Sequence, residues 1–244
     1  MKRVLLLLLT LTLSLKVFCV TDKIKIGLSV SPGLTWAKPF GKEMKSGGVR
    51  FGVNYGLGVE YWFAENFGLS TGIGGAMEGG NITGRNFFQV KDVNGNVLRT
   101  VKEKYTIHSL VLPIGIKLRT NDIKNFRIYG EVGFENYFTV SARATYDNPI
   151  YLFGSSTEIS IEKENVLRKD NDVAKSLPNF RVNFYDIRIA VGGGFEYHFN
   201  DKVAVFTGIY YHNGFLNYIK DNAVDTKKEP TVLRSLNLKI GVLF

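Results

Sequence analysis

Cysteine, proline and long apolar runs are scarce in this sequence. The scarcity of cysteine and of apolar runs each argues against a class of protein. Its 244 residues include one cysteine, Cys19, and six prolines. A chain processed after Cys19 has no disulfide, no thiol nucleophile and no cysteine metal ligand. Beyond that point no run approaches the roughly 18 consecutive apolar residues that indicate a membrane helix. The sequence therefore predicts neither a disulfide-stapled domain nor a helical membrane protein.

The N-terminus has the pattern of an export signal. Lys2 and Arg3 precede a short apolar run, and a signal-peptidase site ending at Cys19 follows it. The run is short for crossing a bilayer core, which takes about 20 residues, so cleavage is favoured over a retained anchor. Acylation of Cys19 is a further alternative, although a bulky residue precedes the cysteine. We predict a signal peptide over 1–19 and one mature domain over 20–244.

The chain is basic, with 31 Lys and Arg against 22 Asp and Glu and a formal net charge of +9. Nucleic-acid binding would gather this charge on one helix or stripe, whereas here it is spread along the chain. We therefore predict no nucleic-acid partner. Attraction to anionic lipid headgroups or to surface polysaccharide explains the surplus more simply.

Apolar and polar residues alternate with period two over most of the remaining chain, which is the pattern of half-buried strands. In 185–199, for example, Ile187, Ile189 and Val191 share one face, and Asp186 and Arg188 lie on the other. The fold class is predicted to be all-β, a closed antiparallel transmembrane β-barrel of about eight strands. The predicted strands are 23–36, 48–63, 67–80, 104–120, 125–142, 181–199, 202–217 and 231–244.

Short and long connections alternate strictly between these strands. The short ones are 64–66, 121–124 and 200–201, and the long polar ones are 37–47, 81–103, 143–180 and 218–230. Outer-membrane barrels have short periplasmic turns and long external loops, so both termini are expected in the periplasm. A hairpin is expected within 81–103, and a short helix within 143–180.

Aromatic residues cluster beside the short turns and predict an interfacial girdle on that side. The predicted girdle residues are Tyr61, Trp62, Phe63, Phe67, Tyr197 and Phe199.

Charged residues on the inward face predict an ionic network inside the barrel. A barrel of about eight strands is filled by side chains, and buried charges are tolerated there only when paired. We favour a self-satisfying polar plug over a proton path or a set of catalytic carboxylates. The predicted members are Lys25, Arg50, Glu60, Lys117, Arg127, Glu131, Glu135, Arg188, Glu196 and Lys239.

Other patterns that carry chemistry are weak. A barrel hydrolase would pair a histidine with a serine and a glutamate, and His212 lies near an external strand end. No serine is paired with it recognisably, and the glycine clusters do not open helices as phosphate loops do. We therefore predict no catalytic residue, no cofactor and no metal site, and that the protein is not an enzyme.

Several segments of the sequence resemble PorT-family outer-membrane β-barrel proteins, which carry a porin-like outer membrane protein beta-barrel domain. This resemblance implies an eight-stranded barrel. It also implies a link to protein secretion, since the namesake belongs to the type IX secretion and gliding machinery. The segments are Ser31–Trp36, Gly47–Gly52, Tyr55–Leu57, Phe63–Gly72, Leu112–Asn121, Gly208–Phe215 and Gly241–Phe244.

Four functions remain open at this stage. The leading hypothesis is a non-enzymatic, monomeric barrel in contact with outer-membrane lipid, whose external loops bind the secretion machinery or a cell-surface protein. The second is a structural or adhesive envelope barrel. A small porin and a lipid-modifying enzyme are the third and fourth, disfavoured by the plugged lumen and by the lack of a nucleophile.

Overall fold

The computed structural model describes the barrel wall and part of its connections. The described ranges are 23–41, 44–85, 100–147, 150–151, 158–159, 162–167, 181–200, 202–220 and 230–244. The predicted signal peptide, the centre of the hairpin expected within 81–103 and much of 143–180, where a short helix is expected, lie outside these ranges. Within them, no helix is long and apolar enough to cross a membrane.

Eight long strands of the described chain form one closed antiparallel sheet. Each pairs with its neighbours in sequence, and the last pairs with the first, so the sheet closes into a barrel. The prediction of an all-β closed barrel of about eight strands is confirmed. The strands are β1 (Ile24–Pro39), β2 (Val49–Trp62), β3 (Phe67–Arg85), β4 (Thr100–Arg119), β5 (Phe126–Tyr146), β6 (Tyr185–His198), β7 (Ala204–Gly214) and β8 (Thr231–Leu243).

The period-two pattern places apolar side chains on the outer wall of the barrel. On β8, Leu236, Leu238 and Ile240 are exposed, whereas Ser235 and Asn237 are buried in the lumen. The outer wall is therefore an apolar belt suited to lipid, as alternation in a membrane barrel requires. Other exposed apolar residues of this belt are Phe51, Tyr55, Leu110, Ile114, Ile116, Leu118, Phe126, Ile128, Val132, Phe134, Val191 and Phe195.

The short connections are tight turns at one end of the barrel. Lys124 and Asn125 have φ values of 51° and 71°, and they close a two-residue hairpin in which Ile123 and Phe126 bond to each other. Ile26 and Phe244 exchange two backbone hydrogen bonds of 3.1 and 2.8 Å, which places the start of β1 and the C-terminal residue at this short-turn end.

Three adjacent strands run further at the long-loop end than the sequence predicts. The β3–β4 ladder continues to the pair Arg85 and Thr100, and β5 extends to Tyr146. A bulge on β5 accompanies this extension: Ser109 pairs with Thr139 while His108 pairs with Ser141, which leaves Val140 as the extra residue. The projecting part shows no apolar-out alternation, so the predicted strands stop too early.

Short strands cover the long-loop end. Residues 181–182, predicted as the start of β6, pair instead with 219–220. Met44–Ser46 pairs with β3, and Glu164–Asn165 pairs with β5. Parts of the polar connections therefore fold back onto the barrel mouth.

Candidate functional site in the barrel lumen

A buried lysine bridges two strands near the short-turn end. Nζ of Lys117 lies 2.5 Å from Oε1 of Glu60 and 2.5 Å from Oε1 of Glu196. The ammonium group also lies 4.3 Å from the ring centroid of Tyr129. Two carboxylates and an aromatic face together compensate a cation removed from water. We call Lys117, Glu60 and Glu196 the lower charged layer.

Trp62 belongs to this layer and not to the predicted girdle. Its side chain is 3% exposed, and its Nε1 donates a 3.2 Å hydrogen bond to Oε2 of Glu60. The guanidinium of Arg119 stacks on the indole at 3.5 Å. The prediction that Trp62 faces lipid is wrong, because as the last residue of β2 it lies on the same face as Glu60. Tyr61, Phe63, Phe67 and Phe199 are exposed at this level.

A small cavity of about 120 Å³ occupies the middle of the lumen. Glu131 faces it and accepts 2.5 Å hydrogen bonds from Ser70 and from Tyr210, with Nζ of Lys239 at 3.8 Å. Glu135, which also lines it, accepts a 2.6 Å hydrogen bond from Tyr137. A cavity of this volume with several polar groups facing it accommodates water.

A second ionic cluster closes the lumen above this cavity. Arg188 is 2% exposed, and its NH1 and Nε lie 2.5 Å from Glu78 and 2.8 Å from Asp186. The guanidinium also lies 3.8 Å from the ring centroid of Tyr137. We call Arg188, Glu78 and Asp186 the upper charged layer.

An apolar cluster lies above the upper charged layer, inside the barrel mouth. Its buried residues come from five barrel strands and from the short strands that fold back onto the mouth. Burial of apolar side chains from several segments ties these segments to the wall. We call this set the apolar cap: Ala37, Ile82, Tyr105, Ile107, Ala142, Ala144, Val166, Val182, Tyr218, Ile219 and Leu233.

Three of the predicted network residues have other surroundings. Arg127 forms hydrogen bonds of 2.5 and 2.7 Å with Asp122 in the β4–β5 turn, and this bonding holds the pKa of the Asp122 carboxyl below its usual range. Arg50 donates 2.9 Å to the carbonyl of Tyr105. Lys25 pairs in register with Glu60, but among the described residues it has no ion pair within 4.0 Å.

Two carboxylates of the upper charged layer were missed from the sequence. Alternation along β6 places Asp186 on the inward face, so its position in the lumen could be predicted from the sequence. Glu78 follows the glycines of β3, where few apolar side chains mark a face. Its pairing with Arg188, 110 positions away in the chain, depends on barrel closure and has no local signal.

A serine does lie beside His212, contrary to the sequence interpretation. Oγ of Ser235 is 3.2 Å from Nδ1 of His212, and Oε1 of Glu135 is 3.4 Å from Nε2. The contact could have been predicted only from the cross-strand register, in which His212 and Ser235 are partners. Asn237 also reaches Nδ1 at 3.4 Å, and Ser235 is fully buried. The four side chains form a buried hydrogen-bond network beside the lumen cavity.

Residues 21–176 match the family model described as Outer membrane protein beta-barrel domain. The chain belongs to this family. An outer-membrane beta-barrel domain is located in the outer membrane, which agrees with the lipid-facing belt. A search of curated proteins gives no match.

Several solved structures of outer-membrane proteins are similar to this chain at low sequence identity. Neisserial surface protein A is 12% identical, with a TM-score of 0.43 over 91% of this chain and 96% of that one. OprG from Pseudomonas aeruginosa is 12% identical, with a TM-score of 0.40 over 91% and 96%. Ail from Yersinia pestis is 14% identical, with a TM-score of 0.39 over 91% and 99%.

Proposed function

We propose that this protein is a non-enzymatic outer-membrane barrel whose lumen is a structural core and whose long-loop end binds a partner outside the cell. The observation that carries the proposal is the stacking of two buried charged layers and an apolar cap along one narrow lumen. In this arrangement the short turns and both termini face the periplasm, as is usual for outer-membrane barrels.

The layered lumen argues against a porin. Conduction needs a continuous polar path, but Lys117 and Arg188 are each 2% exposed and lie across it. The apolar cap adds a third barrier, since ions do not cross a dry apolar segment readily. The central cavity is therefore enclosed between barriers.

The buried network around His212 argues against a lipid-modifying enzyme. A serine nucleophile must reach its substrate, whereas Ser235 points into the lumen and is fully buried. Among the described residues, this is the one place where a serine, a histidine and a glutamate meet.

For the partner, we propose the type IX secretion machinery, because the PorT-like segments extend over most of the chain. The likeness in fold does not by itself support this partner. An envelope or adhesive barrel without a secretion role is the alternative within the same fold class.

Planar-bilayer recording tests the closed lumen. We expect the purified barrel to give no conductance steps under conditions in which a known porin conducts. Conductance at the level of that porin would overturn the structural-core assignment.

A deletion strain tests the proposed partner. We expect signal-bearing cargo proteins to accumulate inside the deletion strain and to return to the medium when the wild-type gene is restored. We place the partner site in the longest external connection, so a chain whose residues 168–180 are replaced by a Gly-Ser linker should not restore secretion in the deletion strain. Restored secretion with this variant would move the partner site to another loop, and an unchanged secreted set in the deletion strain would reject the secretion role.

A further inference from the structure

Basic side chains gather on the outer surface of the three strands that project at the long-loop end. Lys104 pairs with Asn81 on β3 and with Thr145 on β5, and Arg143 pairs with Thr106. The residues that alternate with them on the inward face, such as Tyr105 and Ala144, are fully buried, so the lysines and the arginine face outward.

The same surface continues onto the neighbouring short strand. Thr83 of β3 pairs with Lys102 on one side and with Lys45 on the other. Both lysines are exposed, and the Lys102 side chain retains 44% of its accessible surface. We call Lys45, Lys102, Lys104 and Arg143 the cationic ledge.

The cationic ledge lies beyond the apolar belt on the long-loop side. Moving along the outer face of β4, Leu110 is 39% exposed and is followed by His108, Thr106 and Lys104. On the flanking strands the belt ends at Met77 and at the bulge residue Val140, which are 37% and 69% exposed. Arg143 follows Val140 closely and is the basic residue nearest to the belt, so the ledge begins at its edge, and its long side chains extend back toward lipid headgroups.

The positive charge of the ledge is only partly balanced by protein. Asp147 forms an ion pair with Lys104 and lies 4.0 Å from Lys102. Among the side chains that the structure describes, Arg143 and Lys45 have no carboxylate within 4.0 Å. The adjoining Glu162, Lys163 and Glu164 add a net charge of −1, so with Asp147 two negative charges adjoin the four basic residues of the ledge.

We propose that the cationic ledge binds the phosphate groups of anionic lipid headgroups in the leaflet at the long-loop end. Long basic side chains at a membrane boundary extend toward headgroup phosphates while their stems cover apolar surface. Arg143 supplies a planar guanidinium that bonds two phosphate oxygens, and Lys104 supplies a compact charge beside it.

The clustering itself indicates a ligand. Lys104 and Arg143 are diagonal neighbours on adjacent strands, close enough for long side chains to interact, and like charges in such positions destabilise a sheet. A phosphate between them changes repulsion into attraction. The inference depends on membrane location, which the family membership shows, and not on the proposed secretion partner.

Competition between lipids in nanodiscs tests this binding. The barrel is placed in nanodiscs of phosphatidylglycerol and phosphatidylcholine with identical acyl chains, and native mass spectrometry gives the ratio of the two lipids retained. We expect the wild-type protein to retain phosphatidylglycerol preferentially. Each basic side chain near an anionic surface contributes roughly fivefold in affinity, so K102Q/K104Q/R143Q should reduce the preference by about tenfold or more after allowing for Asp147.

The charge-matched control is K23Q/K124Q/K202Q, which removes three lysines from separate positions at the short-turn end. We expect it to keep the preference within about twofold, because these side chains do not converge on one headgroup. An unchanged ratio in the ledge variant, or an equal loss in both variants, would overturn the proposal. Binding of a sulfated polysaccharide in pure phosphatidylcholine nanodiscs, lost in the ledge variant alone, would reassign the ledge to that ligand.

Comparison of thermal unfolding in two lipids distinguishes phosphate binding by the ledge from a purely structural role. In phosphatidylcholine vesicles, relief of repulsion should leave the ledge variant as stable as the wild type or more stable. In phosphatidylglycerol vesicles the same variant should melt below the wild type. Destabilisation of equal size in both lipids would mean that the ledge is structural and would overturn the proposal.

Discussion

At the scale of single residues, the stability of this barrel depends on how buried charges are compensated. Lys117 lies between two buried carboxylates, and the only other side chain described in ion-pair range of them is His198, 3.4 Å from Glu196. Lys117→Met should lower the free energy of unfolding by about 3–5 kcal/mol, because it leaves Glu60 without a cation and Glu196 with the imidazole of His198 alone. Equilibrium unfolding in urea from lipid vesicles measures this loss.

The control for this prediction removes the whole cluster. In K117M/E60Q/E196Q no charge of the lower charged layer remains uncompensated, so most of the lost stability should return. If the triple variant is as unstable as the single one, packing around the lysine stem, and not charge pairing, explains the effect.

Glycine is also required at single positions where strands and side chains approach closely. A Cβ on Gly192 would lie 2.5 Å from the ring of Tyr210 and 2.6 Å from the carbonyl oxygen of Ile209, whereas a Cβ on Gly58 would meet nothing nearer than 3.8 Å. Gly192→Ala should cost about 1–3 kcal/mol through overpacking, and Gly58→Ala should be neutral or slightly stabilising. Equal costs in the same unfolding assay would contradict the requirement for glycine at position 192.

At the scale of the strands, the bulge on β5 sets which residues face the lumen. Deletion of Val140 should leave a folded barrel, because Ser141 and the residues after it keep their partners on β4. Deletion of Val132 from the regular ladder should prevent folding, since it turns one side of the strand inside out. Heat-modifiable electrophoretic mobility reports the folded fraction, and similar yields for both deletions would contradict this account.

The sequence predicts the part of each strand that lies inside the membrane better than the part that lies beyond it. Inside the membrane each outward position needs an apolar side chain, so alternation located all eight strands to within a few residues. Beyond the membrane that requirement ends, and neither the extension to Arg85 nor the pairing of 181–182 with 219–220 left a periodic signal. Trp62 was misassigned because its place beside a turn was given more weight than alternation, which puts it on the face of Glu60, and Glu78 was missed because a glycine-rich strand does not specify a face.

At the scale of the whole molecule, the contrast between short and long connections predicts orientation. An epitope tag inserted within 221–229 should leave the barrel folded and should bind antibody on intact cells. A tag inserted between Asn200 and Lys202 should be detected only after permeabilisation, and it should reduce folding, since the side chain of Asn200 bonds the backbone on the far side of that turn. The opposite labelling pattern would reverse the orientation proposed above.

The pairing of β1 with β8 also has a kinetic consequence. The ladder between these strands runs from the pair Gly27 and Leu243 to the pair Pro39 and Thr231. It joins segments about 200 positions apart in the chain. Contacts of such long sequence separation form slowly, because loop-closure entropy opposes them until the rest of the sheet is in place. The seam is therefore the last part of the wall to form. Until it forms, two unpaired strand edges are open to mispairing or to capture by whatever machinery delivers the chain to the membrane.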